Sequence, residues 1–126
     1  ATTLADDCYD GMFEGCTSLT TAPELPATTL ADGCYYDMFY GCASLTTAPE
    51  LPATTLVDYC YSEMFKDCTS LNYVKCLATD ISADDCTDDW LDNVASTGTF
   101  VKNPNMNNWE SGVYYGIPTN WTVQDA

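Results

Sequence analysis

Residues 27–52 read ATTLADGCYYDMFYGCASLTTAPELP, and residues 1–26 carry the same phrase in register as ATTLADDCYDGMFEGCTSLTTAPELP. The two copies differ only at 7/33, 10/36, 11/37, 14/40 and 17/43, so 21 of 26 positions are identical. Residues 53–71 begin the phrase a third time as ATTLVDYCYSEMFKDCTSL before the text diverges. Self-similarity at a fixed period of tens of residues marks a repeat array. In such an array each unit buries its apolar side only against its neighbours. The expected architecture is therefore a solenoid, with units at 1–26, 27–52, 53–78 and 79–102.

Within one unit, the spacing predicts a helix over 29–42. At about 100° per residue, Leu30, Ala31, Cys34, Tyr35, Met38, Phe39 and Cys42 share one half of the wheel. Gly33, Tyr36, Asp37 and Tyr40 occupy the other half. Those four are among the positions that differ between the first two copies, which suits a water-facing side. Thr3, Thr29 and Thr55 each stand three residues before an aspartate (Asp6, Asp32, Asp58), the spacing of a capping box. Pro26 and Pro52 bar a helix from entering from upstream. Gly15 and Gly41 suit its close.

The segments 19–22, 45–48 and 71–74 read as short strands, curtailed at Pro23 and Pro49 because proline has no N–H for a ladder. A strand, a turn and a helix repeated at this period imply right-handed crossovers and parallel pairing. The expected fold class is thus an α/β solenoid of about four strand–turn–helix units. The fourth unit is a worn copy, with Cys86 matching Cys60, Trp90 replacing Met64, Leu91 replacing Phe65 and Val94 standing at the place of Cys68. Ser82 with Asp85 repeats the cap spacing one residue late, and 99–102 supplies the expected last strand. Residues 103–126 have no repeat counterpart but carry Trp109, Tyr114, Tyr115, Ile117 and Trp121, too aromatic for a linker. They are expected to cap the array. The same aromatics also suit a carbohydrate-binding surface, and Asn120-Trp-Thr122 has the form of an N-glycosylation site.

The net charge is −16, with Lys66, Lys75 and Lys102 the only cations. Nucleic-acid backbones need clustered Lys and Arg to displace counterions, so DNA and RNA are excluded as partners. Anionic membranes are disfavoured likewise, and no run approaches the roughly 18 apolar residues of a membrane span. The chain opens inside a unit, at ATTLADD, which points to a processed product or a piece of a longer chain. Of the eight cysteines, Cys8, Cys34, Cys60 and Cys86 form one column at period 26, Cys16, Cys42 and Cys68 another, and Cys76 belongs to neither. On a helix, two cysteines eight apart are separated by about 12 Å of rise. That exceeds the roughly 4.4–6.8 Å of a disulfide. Buried core thiols are the leading expectation, with inter-repeat bridges the other. With no Cys-x-x-Cys and no histidine, zinc is not expected, and no cofactor is implied.

The phrase Met38-Phe39-x-Gly41-Cys42-x-Ser44-Leu45, with its copies at 12–19 and 64–71, resembles the repeat of the BspA-like leucine-rich-repeat surface proteins. The ending Gly116-Ile-Pro-x-x-Trp121-Thr-Val resembles the closing segment of such proteins in gut bacteria. Asp67 stands where the motif has Gly. The resemblance implies a leucine-rich-repeat-like stack, an extracellular or bacterial cell-surface location, and adhesion to protein or polymer on a host matrix or on neighbouring cells. It implies no catalytic residue.

An enzyme would need a nucleophile with a base, a metal, or a paired acid and base. The carboxylates lie mostly on the variable face and the serines and threonines have no base partner, so the chain reads as non-catalytic. A binding module would use the strand side, where side chains line up in columns roughly 4.8 Å apart. The candidate binding residues are Thr20, Thr21, Glu24, Thr46, Thr47 and Glu50, with Tyr73 as an aromatic anchor. Two further readings are a spacer that presents another domain and a Ca²⁺-dependent module built on Asp6, Asp32, Asp58 and Asp84.

Overall fold

A computed structural model describes residues 3–126. Among these there is no helix, and the sheet consists of three short parallel strands in the order β1 (Tyr73–Cys76), β2 (Gly98–Lys102), β3 (Trp121–Asp125). The expected α/β solenoid of strand–turn–helix units is therefore overturned. What replaces the helix is a coil of tight turns, bonded to the coils on either side.

The hydrogen bonds of 32–42 show how. Cys34, Tyr36, Met38, Tyr40 and Cys42 each donate their N–H three residues back, to Ala31, Gly33, Tyr35, Asp37 and Phe39. The intervening N–H groups of Gly33, Tyr35, Asp37, Phe39 and Gly41 leave the unit altogether. They reach the carbonyls of Asp58, Cys60, Ser62, Met64 and Lys66 at 2.8–3.2 Å. An α-helix would have sent every N–H four residues back along its own axis. Here half of the donors hold the next coil instead.

Such turns require a left-handed residue at every fourth position. Gly33, Asp37 and Gly41 have φ of 63°, 54° and 75°, and the same sites in the other coils (Asp7, Gly11, Gly15; Tyr59, Glu63, Asp67; Asp85, Asp89, Asn93) are all positive. Gly, Asp and Asn tolerate that region better than other residues, and they fill ten of these twelve sites. The variable positions 7/33 and 11/37 are thus not merely solvent-facing. They are backbone positions at which Gly and Asp interchange.

The capping-box expectation fails with the helix. Asp6 Oδ1 accepts the N–H of Asp32 at 3.2 Å, and Asp58 Oδ1 accepts that of Asp84 at 3.0 Å, so these aspartates stitch one coil to the next. Ser82 does not pair with Asp85. It donates through both its N–H and its hydroxyl to Asp80 Oδ1, which lowers the Asp80 carboxyl below its ordinary range.

The strands also depart from expectation. Of the three segments, 45–48 keeps one isolated bridge, Thr47 to Tyr73, and 19–22 forms no ladder; a strand develops only at Tyr73–Cys76. In repeat register Lys75 and Val101 stand where Pro23 and Pro49 stand, so the third and fourth units have the N–H that the first two lack at that rung. Nor does 99–102 end the sheet, because β3 from the tail pairs along β2 with Thr99 opposite Thr122. Gly98 is required by this packing: a Cβ there would lie 2.6 Å from the Asn72 carbonyl and 2.7 Å from the Trp121 ring.

The core is a set of side-chain columns running through the stack. Phe13, Phe39 and Phe65 stack with centroids 5.5 Å apart and planes within 5°. Tyr9, Tyr35, Tyr61, Trp90 and Trp109 form a second column at 5.4–6.2 Å. Offset stacking of this kind adds about 0.5–1.5 kcal/mol per pair beyond burial alone. Trp90 keeps the backbone place of Met64, accepting from Phe65 N–H at 3.0 Å, but its indole lies on the tyrosine column. All eight cysteines are free, Cys8 and Cys16 exposed and the other six buried. Cys42 and Cys68 donate their thiols to the carbonyls of Phe13 and Phe39 at 3.1 and 3.0 Å. The helical rise no longer argues against bridging within a unit.

Candidate functional site

The residues picked out on the strand side are mostly open to solvent. Thr20, Thr21, Glu24, Thr46, Thr47 and Glu50 are exposed and Tyr73 is half-buried. Pairing places Thr47, Tyr73, Thr99 and Thr122 in one column across the sheet, since Thr47 bridges Tyr73, Tyr73 faces Thr99 and Thr99 faces Thr122. Beside it Glu50 approaches Lys75, with Oε1 and Nζ 3.8 Å apart and both partly exposed. An exposed pair of this kind contributes about 0–1 kcal/mol, so it conditions the surface rather than holding the fold.

Between the first two units this face opens into a cleft of about 460 Å³, lined by Pro23, Glu24, Leu25, Pro26, Pro49 and Glu50 together with Ala22 and Pro52. The prolines pre-set the backbone there and leave it without N–H donors at those positions. A ligand in the cleft therefore meets two carboxylates and flat ring faces. Thr20 and Thr21 extend the same face as hydroxyl donors and acceptors.

Sequence reasoning missed Lys75, Thr99 and Thr122. Lys75 was legible as the residue replacing a repeated proline, and it brings a cation into a row expected to be purely acidic. Thr99 and Thr122 carry no repeat signature, because they join the column only through pairing with β1 and β2.

On the opposite, coil side, Asp37 and Glu63 stand at equivalent positions of adjacent coils. Burial, together with the Glu63 carboxylate and the nearby charges of Glu14 and Asp10, raises Asp37 to about 7. The Tyr36 hydroxyl donates to Glu63 Oε2 at 3.3 Å, and burial with the charges of Asp37, Glu63 and Asp10 raises Tyr36 to about 12. Among the described residues no three carboxylates or thiols converge as metal ligands. Burial raises Cys34 and Cys86 to about 11 and Cys68 and Cys76 to about 12, which leaves them protonated and poorly nucleophilic at neutral pH. Comparison with protein-family models, with curated proteins and with solved structures found no match.

Proposed function

We propose that the chain is a non-catalytic binding module of the cell surface or extracellular space, which engages a protein or polymer through its Thr/Glu face. The observation that carries this reading is the combination of the four-residue column Thr47–Tyr73–Thr99–Thr122 with the proline-walled cleft holding Glu24 and Glu50. Repeated, nearly flat polar groups suit weak contacts made many times over, as a fibrous protein or a polymer would make them. The resemblance of the 26-residue phrase to BspA-like surface proteins supports the same location and role. The alternative is a spacer, favoured by the ladders of main-chain hydrogen bonds that tie coil to coil into a stiff rod.

The test screens extracellular-matrix proteins and bacterial surface polymers, then compares two variant pairs. Glu24→Lys/Glu50→Lys should weaken binding, and affinity for a basic partner should fall as salt rises. Asp10→Lys/Tyr36→Lys, on the coil side, should leave it unchanged. Loss of binding in the second pair alone would place the site on the wrong face, and binding by neither parent nor variants would favour the spacer.

A further inference from the structure

The two ends of the stack are built differently. Over the fourth coil lies the tail: Trp109 stacks on Trp90 at 5.4 Å, Trp90 Nε1 donates to the Gly116 carbonyl at 2.9 Å, and the Thr87 hydroxyl donates to the Tyr115 carbonyl at 2.8 Å. Among the described residues the first coil has no such cover. Its N–H groups at Asp7, Tyr9, Gly11, Phe13 and Gly15 are all spent on the second coil, at 2.7–3.0 Å. Among the described residues, the carbonyls of Asp6, Cys8, Asp10, Met12 and Glu14 accept no backbone N–H. The equivalent carbonyls of the second coil, from Asp32 to Tyr40, are every one taken by the first.

Burial tells the same story in the side chains. Met12 is 58% exposed, whereas Met38 and Met64, the same residue one and two coils on, are 1% and 0% exposed. Cys8 and Cys16 are exposed, whereas Cys34 and Cys42 are buried. Tyr9 and Phe13 each have one ring face against the second coil, and their columns run no further outward among the described residues. The identical residues are core wherever a coil lies on that side.

We infer that this outer face of the first coil is a docking surface for one more coil of the same 26-residue phrase. The occupant is specified by the interface that continues inward from it, seen between coils one and two, two and three, and three and four. It must offer five N–H groups at alternate residues, a left-handed residue at every fourth, and Tyr and Phe rings in the same two columns. A helix cannot serve, because its N–H groups are spent on its own axis. A second copy of the chain fits poorly either way round. Head to head, acceptor rows meet acceptor rows and Asp7, Asp10 and Glu14 meet themselves. Head to tail, the segment around Tyr115 and Gly116 stands in the way. This inference concerns a different surface from the Thr/Glu face and does not rest on it.

The experiment joins a copy of residues 27–52, its two cysteines changed to alanine, in repeat register ahead of the full chain. Alkylation of Cys8 and Cys16 under native conditions is then followed by mass spectrometry. Docking predicts that both thiols slow about ten-fold or more, towards the rate of Cys34 and Cys42. Met12→Asp in the extended chain should restore their reactivity while Cys60 and Cys68 stay protected. Unchanged labelling of Cys8 and Cys16 in an extended chain whose inner thiols remain protected would overturn the inference. So would protection that rises with protein concentration in the unextended chain, since a second copy would then hold the face. Should the added copy unfold the chain, the same peptide is supplied in trans at millimolar concentration, and failure to protect the two thiols there overturns it equally.

Discussion

The turn coil and the helix it displaced make opposite predictions at two positions of one column. Tyr59 has φ 58° and stands at the site occupied by Gly33, φ 63°, one coil earlier. A non-glycine residue in the left-handed region costs about 1–2 kcal/mol. Replacing Tyr59 by Gly removes that cost, and glycine's larger unfolded-state entropy returns about 0.4–1 kcal/mol of it. The ring is already 46% exposed, so little burial is lost. Tyr59→Gly should therefore stabilise by about 0.5–1 kcal/mol. At about 2.1 cal/mol/K per residue of unfolding entropy, that raises Tm by roughly 2–4 °C for a chain of this length. Gly33→Ala should do the reverse, losing about 1 kcal/mol. Its Cβ would also run into Asp7 Oδ1, which must swing aside. In a helix interior both signs invert, because Ala is favoured over Gly by about 0.5–1 kcal/mol and Tyr59→Gly would then destabilise. Calorimetry on the two variants decides. A more stable Gly33→Ala together with a less stable Tyr59→Gly would refute the turn coil.

Further expectations concern charge, core and thiols. Because Asp37 binds its proton more tightly folded than unfolded, its contribution to stability is present below pH 3.8 and is lost as pH rises towards about 7. For a half-buried group solvent screening still limits the effect to the order of 1 kcal/mol, and Asp37→Asn should flatten that part of a stability–pH curve measured by denaturant titration. Met38→Asp buries an unpaired charge between stacked coils and should cost about 4 kcal/mol or more, read as loss of cooperative melting. Denaturing the chain without reductant should make all eight thiols titratable, whereas native alkylation should reach Cys8 and Cys16 first; a native chain in which Cys34 reacts as fast as Cys8 would contradict the stacked core.

The helix was the misreading most open to the sequence, and the reason is arithmetic. The buried set Cys34, Tyr35, Met38, Phe39, Cys42 spans positions i, i+1, i+4, i+5 and i+8. A period of 3.6 and a period of four accommodate that set equally well over so short a stretch. What separates them is the polar set, with Gly, Asp or Asn recurring at every fourth residue in 7–15, 33–41 and 85–93. That pattern marks left-handed turns and is purposeless in a helix. Of the candidate site, Thr20, Thr21, Glu24, Thr46, Thr47 and Glu50 were legible because repetition alone places equivalent residues on one side of a stack. Thr99 and Thr122 were not.

The 26-residue phrase by itself determined that equivalent residues stand above one another, which side chains are core, and that residues 103–126 differ in kind from the rest. A translational repeat imposes the first whatever conformation the unit adopts, and the recurrence of apolar pairs at every fourth residue imposes the second. Only the tertiary structure decided what the backbone does between those points. Each of the first three coils spends half of its N–H groups on the next, at a separation of about 26 residues. No single unit contains the information that those acceptors will be there.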